Sequence, residues 1–153
     1  MKKKILAVIL SLIMVLGSIS VVSASYVEWS ESVSGSNCMI YYDAYCYPGS
    51  CTASTWVYPD YTVSSVNASV NMRLYVIPAE YDSIQDENIK DQLSTLFGSD
   101  SDSSSTINSG IVTADAEVNC SSGYVSRRVE STHAVDMVIN SNNYSSTKEL
   151  ETH

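Results

Sequence analysis

The clearest pattern in this chain is a strict alternation of apolar and polar residues from Val66 to Val76. Every second position is apolar, and the positions between are polar or amphipathic. The apolar set is Val66, Ala68, Val70, Met72, Leu74 and Val76. Because successive side chains of a β-strand point to opposite faces, this pattern predicts one long central strand with a buried face and a solvent face. We expect it to end at Pro78, which cannot donate to a ladder.

A hairpin is predicted upstream, over residues 39–47 and 52–58. These two stretches flank Pro48-Gly49, and proline followed by glycine is typical of a tight turn. Alternation along the first arm predicts two opposite faces. One face carries Cys38, Ile40, Tyr42, Ala44 and Cys46, and the other carries Met39, Tyr41, Asp43, Tyr45 and Tyr47. One of these faces is therefore rich in tyrosine.

Two more strands are predicted downstream, over residues 111–120 and 124–140. The first alternates regularly, with Val112, Ala114, Ala116, Val118 and Cys120 pointing inward. In the second, apolar residues on one face of the strand are Val125, Val129, Val135, Met137 and Ile139. We expect this strand to be interrupted near Ser131. Residues 140–146 predict a polar turn, followed by a charged tail.

One helix is predicted, over residues 83–97. Ser83 can cap its first turn, apolar residues recur at helical spacing, and Gly98 stands where a C-terminal cap belongs. The serine-rich stretch 99–105 predicts a flexible loop. Many alternating segments with one helix indicate an all-β fold, an antiparallel β-sandwich of two packed sheets. The inward alanines, Ala68, Ala114 and Ala116, would let the sheets approach closely.

The N-terminus predicts a cleaved signal peptide over residues 1–24. Three lysines precede an apolar run from Ile5 to Leu16, and Val22-Ser23-Ala24 resembles a cleavage site. The run is shorter than the roughly 20 residues that a membrane-spanning helix needs. We therefore expect a secreted, extracellular protein of bacterial type, with one domain over residues 25–153.

The charge of the chain limits the classes of partner that it can bind. The formal net charge is −9, and loss of the three N-terminal lysines would bring it to about −12. Such an acidic protein is repelled by nucleic acid and by anionic membranes, so neither is expected as a partner. We expect a monomer that binds an extracellular glycan or protein.

Four cysteines in an exported chain predict two disulfides. Cys46 and Cys51 face each other across the predicted turn, within disulfide reach. That pairing leaves Cys38 with Cys120. No spacing typical of zinc ligands is present, so we expect no metal and no cofactor.

Three groups of residues raise the question of catalysis or metal binding. His133 shares the parity of the buried face, which favours a hydrogen-bonded structural histidine over a catalytic one. Asp115 and Glu117 are spaced like glycosidase carboxylates, but acids on a wet strand face are ordinary. Asp100-Ser101-Asp102 lacks the glycine and glutamate of a calcium-binding loop. A small hydrolase is therefore the least favoured interpretation.

Aromatic residues form the most suggestive pattern, since the chain contains 11 tyrosines. Flat rings with polar tips suit the recognition of sugars or protein surfaces, although tyrosine is also simply a good strand former. The predicted binding residues are Tyr41, Tyr45, Tyr47, Trp56 and Tyr58. The leading hypothesis is thus a small, disulfide-stabilised binding protein without enzymatic activity. A bacteriocin-like or toxin-like protein is the alternative.

Overall fold

The computed structural model describes residues 24–107 and 110–153, which form eight β-strands, one α-helix and one 3₁₀ turn. The strands are β1 (Ser25–Ser32), β2 (Met39–Cys46), β3 (Ser50–Tyr58), β4 (Val63–Pro78), β5 (Thr95–Ile107), β6 (Val112–Asn119), β7 (Tyr124–Ile139) and β8 (Asn142–Thr152). Helix α1 spans Glu87–Leu93, and the 3₁₀ turn spans Ala79–Tyr81. Within these ranges, no helix is long and apolar enough to cross a membrane. The predicted signal peptide lies outside the described residues, apart from Ala24.

The strands form two antiparallel four-stranded sheets. Sheet A has the order β1-β2-β3-β6, and sheet B has the order β5-β4-β7-β8. The buried side chains of both sheets belong to one hydrophobic core. The all-β prediction is therefore confirmed, with two antiparallel sheets and one short helix.

Strand β4 is the central element that the alternating pattern predicts. It pairs with β5 on one side and with β7 on the other, and its apolar residues from Val66 to Val76 are all buried. Asn67 and Asn71, on the opposite face, are exposed. Burial of one complete face fixes the register, because a slip of one residue would turn every apolar side chain to solvent.

A row of small residues lies on the buried face of sheet A. Ala44, Ala53 and Ala116 are paired in a row across β2, β3 and β6, and none is more than 1% exposed. The predicted inward positions of Ala68 and Ala114 are also fully buried.

The helix is shorter than predicted. It covers residues 87–93 rather than 83–97, and Asp86, not Ser83, accepts hydrogen bonds from the first backbone N–H groups. Ser94 is already extended, and Leu96 pairs with Tyr75 of β4. None of the helix residues is buried, so a longer helix would gain little from packing. The residues after Ser94 therefore pair with the central strand, although their apolar spacing is helical.

The serine-rich stretch 99–105 is a strand rather than a flexible loop. It forms most of β5 and is paired residue by residue with β4. Gly98 belongs to this strand and does not cap the helix; a Cβ added there would lie 3.3 Å from Cγ1 of Val118. Backbone hydrogen bonds hold this strand, and these need no apolar side chains.

The C-terminal region also differs from the prediction. Strand β7 runs through Ser131 without interruption, because the serine side chain is buried and hydrogen-bonded. The turn at Asn140-Ser141 is present, with φ of 48° and 66°. The predicted charged tail is strand β8, which pairs with β7 along its whole length.

Candidate functional site

Six aromatic residues lie on the outer face of sheet A, and we call this surface the aromatic face. Its members are Tyr26, Tyr41, Tyr45, Tyr47, Trp56 and Tyr58. Alternation along β2 and β3 turns these rings to solvent, while Tyr42 and Val57 point into the core. The structure therefore brings all five predicted binding residues onto one surface and adds Tyr26 from β1.

One group of rings lies beside the turn between β2 and β3. Tyr26 and Tyr45 are cross-strand partners and stack with 4.2 Å between their centroids. Tyr45 and Tyr47 are nearly parallel at 6.0 Å. Stacking holds each ring against its neighbour, so the group is preorganised.

A second group of rings lies towards the other end of the same strands. Tyr41 meets Tyr58 edge to face at 5.6 Å, and Tyr58 stacks with Trp56 at 6.5 Å. Trp56 is 39% exposed and Tyr58 is 37% exposed. These rings thus keep a large part of their apolar surface open to a partner.

Carboxylates separate the two aromatic groups. Glu28 and Asp43 are cross-strand partners, and the same row continues through Ser54 to Asp115. The Tyr26 hydroxyl donates to Glu28. Asp43 is half-buried, and its Oδ1 atom has no hydrogen-bond partner. Burial raises the pKa of Asp43, the charges of Asp115 and Glu28 raise it further, and hydrogen bonding to Ser54 opposes them.

These side chains line a shallow cleft of about 430 Å³. Its lining residues are Tyr26, Glu28, Met39, Tyr41, Asp43, Tyr45, Trp56 and Tyr58. Tyr47 lies just outside the lining. The sequence prediction missed Met39 and Asp43 from β2, and it also missed two residues from β1, Tyr26 and Glu28. Their alternation with Val27 is visible in the sequence, but only strand pairing shows that β1 lies beside β2.

His133 lies inside the core, between the two sheets. It is fully buried; its Nδ1 is 2.9 Å from Thr55 Oγ1, and its Nε2 is 2.8 Å from Ser131 Oγ. Thr55 Oγ1 also lies 3.2 Å from the carbonyl of Ser69, and Ser131 Oγ lies 3.5 Å from that of Leu150. In a neutral imidazole one ring nitrogen donates to its hydroxyl neighbour and the other accepts from its own. Burial lowers the pKa of His133 to about 4. The imidazole is thus buried, with a hydroxyl within hydrogen-bond distance of each ring nitrogen, as the predicted position of His133 on the buried face implies.

The acidic residues singled out in the sequence meet at the edges of the two sheets. Asp100 and Asp102 accept hydrogen bonds from the backbone N–H groups of Glu117 and Asp115, each at 3.0 Å. In the part of the chain that the structure describes, no three His, Cys, Asp or Glu side chains are grouped as metal ligands. Asp100 and Asp102 therefore link the sheets.

The structure brings one of the two predicted cysteine pairs together and separates the other. Cys46 and Cys51 are cross-strand partners, as expected, and their sulfur atoms are 3.0 Å apart without a covalent bond. The predicted Cys38–Cys120 pair does not fit the strand register. Cys38 precedes β2 at one end of sheet A, whereas Cys120 follows β6 at the opposite end, roughly ten residue steps or about 33 Å away.

A second surface depression, of about 660 Å³, lies over sheet B. Asn71, Arg73, Glu130 and Glu149 are among its lining residues, and aromatic side chains are absent from that lining. This polar surface offers charges but no apolar platform, so the aromatic face is the better candidate for a binding site.

No protein-family model matches this chain, and no curated protein matches it. Among solved structures, one similar chain is described as "Complete structure of manganese lipoxygenase of Gaeumannomyces graminis and partial structure of zonadhesin of Komagataella pastoris". The identity is 8% over 82% of this chain, the TM-score is 0.27, and this chain spans 45% of that one. A likeness at this level carries no argument about this chain.

Proposed function

We propose that this chain is a secreted β-sandwich protein without enzymatic activity that binds its ligand through the aromatic face. The observation that carries the proposal is the open cleft between two groups of aromatic rings that contact one another within each group. Tyr26, Trp56 and Tyr58, which line this cleft, are 47%, 39% and 37% exposed, although a polar strand former could stand at each position. Exposed, preorganised aromatic surface is what binding sites supply and what a solvent face does not need.

The N-terminal sequence supports the secreted part of the proposal. Lysines followed by an apolar run and small residues are the signature of a secretory signal. An extracellular binding protein of this size gains from a rigid platform, because side chains that are already ordered lose little entropy on binding.

A ligand screen with matched variants tests the proposal. The purified protein is applied to glycan and peptide arrays beside a variant in which Tyr41, Tyr45 and Trp56 are replaced by serine. Replacement of Tyr61, which is 88% exposed and lies off the aromatic face, is the control. We expect at least one ligand that the triple variant loses and the Tyr61→Ser variant keeps.

Circular dichroism and the thermal midpoint show whether the triple variant is still folded. If the triple variant does not fold, ligand binding by the single variant Trp56→Ser is compared with that of the wild type instead. Ligands bound equally by all variants, or no ligand for the wild type, would count against the aromatic face as a binding site.

A further inference from the structure

The strands that build the aromatic face contain no basic residue. Across β1, β2, β3 and β6 there is no lysine, arginine or histidine, while five carboxylates are present. These acids are Glu28, Glu31, Asp43, Asp115 and Glu117. Four of them share the face of the rings, whereas Glu31 alternates to the other face and accepts hydrogen bonds from Tyr42 and Tyr144. The aromatic face therefore combines open rings with a negative charge that no basic residue of these strands balances.

The cations of the described chain lie elsewhere. Lys148 lies 3.6 Å above the ring of Trp29, and Arg128 lies 4.4 Å from the ring of Tyr75. Arg127 binds the carboxylates of Glu87 and Asp91 on helix α1. The fold thus pairs these cations with other rings and other acids, and among the described residues no salt bridge involves Glu28 or Asp43.

Asp43 is the group most in need of a counter-charge. It lies between the two ring groups, its Oδ1 is buried without a hydrogen-bond partner, and Glu28 is its neighbour across the strand pair. Like charges in a partly buried site repel, and a bound cation would turn that repulsion into attraction.

We propose that the aromatic face binds an arginine-bearing, extended segment of a partner protein, with guanidinium groups stacked on the rings and hydrogen-bonded to Asp43 and Glu28. This inference rests on the proposed function, and it names the chemistry of the ligand. Arginine fits better than lysine because its planar group can stack on an aromatic ring while donating in parallel to a carboxylate. The cleft volume of about 430 Å³ lies in the range of ordinary ligand pockets.

Two peptides of matched shape test the inference by calorimetry at an ionic strength of about 0.15 M, where diffuse attraction between exposed charges is screened. One is an acetylated and amidated tetra-arginine peptide; the other is its tetra-citrulline counterpart, which keeps the planar groups but not their charge. We expect the arginine peptide to bind at least roughly tenfold more tightly.

Isosteric variants locate the site. Asp43→Asn and Glu28→Gln should each weaken binding of the arginine peptide. The double variant should bind it roughly tenfold more weakly than the wild type. Glu149→Gln makes the same change of charge on sheet B and should alter the affinity less than about twofold, because it lies off the aromatic face. If the Asp43→Asn variant does not fold, because that position is half-buried, Glu28→Gln alone provides the comparison.

The other outcomes overturn the inference, and they separate it from the proposed function. Equal binding of both peptides would show that the rings, not the acids, select the ligand. An equal loss with Glu149→Gln would show diffuse attraction to an acidic protein. The arginine assignment fails if neither peptide binds, or if Trp56→Ala abolishes binding of a neutral glycan but not of the arginine peptide. In either case the array screen still tests the proposed function independently.

Discussion

The side chain of Asp100 on β5 accepts a hydrogen bond from the backbone N–H of Glu117 on β6, at 3.0 Å. Asp102 does the same for Asp115 two residues along. Strand β6 is the edge of sheet A, and β5 is the edge of sheet B. The two aspartates therefore accept hydrogen bonds from backbone N–H groups at the edge of sheet A. Without them, these groups would be open to pairing with a strand of another chain.

Loss of these acceptors should weaken the fold. We expect the double variant Asp100→Ala, Asp102→Ala to lose about 1–3 kcal/mol of unfolding free energy, because two backbone donors lose their partners. Asparagine keeps an acceptor oxygen, so the double variant Asp100→Asn, Asp102→Asn should lose much less. Urea unfolding measures both variants, and equal losses would mean that charge rather than acceptor geometry matters.

Acid should destabilise the protein through His133. The pKa is about 4 in the folded state and 6.5 in the reference state, so the unfolded chain takes up a proton first as pH falls. The stabilising effect is complete above pH 6.5 and is lost between pH 6.5 and 4, by roughly 3 kcal/mol. Urea titrations near neutral pH and near the folded-state pKa measure this loss.

The matched comparison is His133→Gln, which cannot titrate. Its unfolding free energy should fall less over the same pH interval than that of the wild type, even if the variant is weaker at neutral pH. The carboxylates Glu31 and Asp60 also have lowered pKa values and contribute to both proteins alike. Parallel pH profiles would contradict the assignment to His133.

The two faces of β4 should respond very differently to a new charge. Val70 is fully buried, so Val70→Asp places an unpaired carboxylate in the core and should prevent folding or cost more than about 4 kcal/mol. Asn71→Asp, on the exposed face one residue further, should change the unfolding free energy by about 0.5 kcal/mol or less. Urea unfolding compares the two variants, and similar tolerance of both changes would contradict the buried face of β4.

Cys46 and Cys51 should form a disulfide in protein recovered from an oxidising compartment. Tyr47 N–H donates to the Ser50 carbonyl, so the adjoining cysteine pair is of the non-hydrogen-bonded type, in which side chains approach closely. The closed loop is short, and the bond should add roughly 2 kcal/mol on the loop-entropy model.

Peptide mapping under non-reducing conditions identifies the bond. We expect a Cys46–Cys51 peptide and separate peptides containing Cys38 and Cys120. A Cys38–Cys120 peptide would require the two ends of sheet A to meet and would contradict the strand register.

Alternation alone located β2, β3, β4 and β6, because each has one buried and one exposed face and so carries a period of two. It also placed the five predicted aromatic residues on shared faces of the hairpin arms. It failed for β5 and β8, whose side chains are largely polar. A strand held mainly by backbone hydrogen bonds leaves little trace in the hydrophobic pattern.

Local sequence patterns encode the all-β class, the central strand and the tyrosine-rich hairpin, since these depend on neighbouring residues and on burial of one face. Which strands are neighbours in a sheet depends on long-range pairing. Pairing of β1 with β2 brought Tyr26 and Glu28 to the aromatic face, and strand direction put Cys38 and Cys120 at opposite ends. Contacts between residues distant in sequence arise from sheet order and register, which local patterns do not encode.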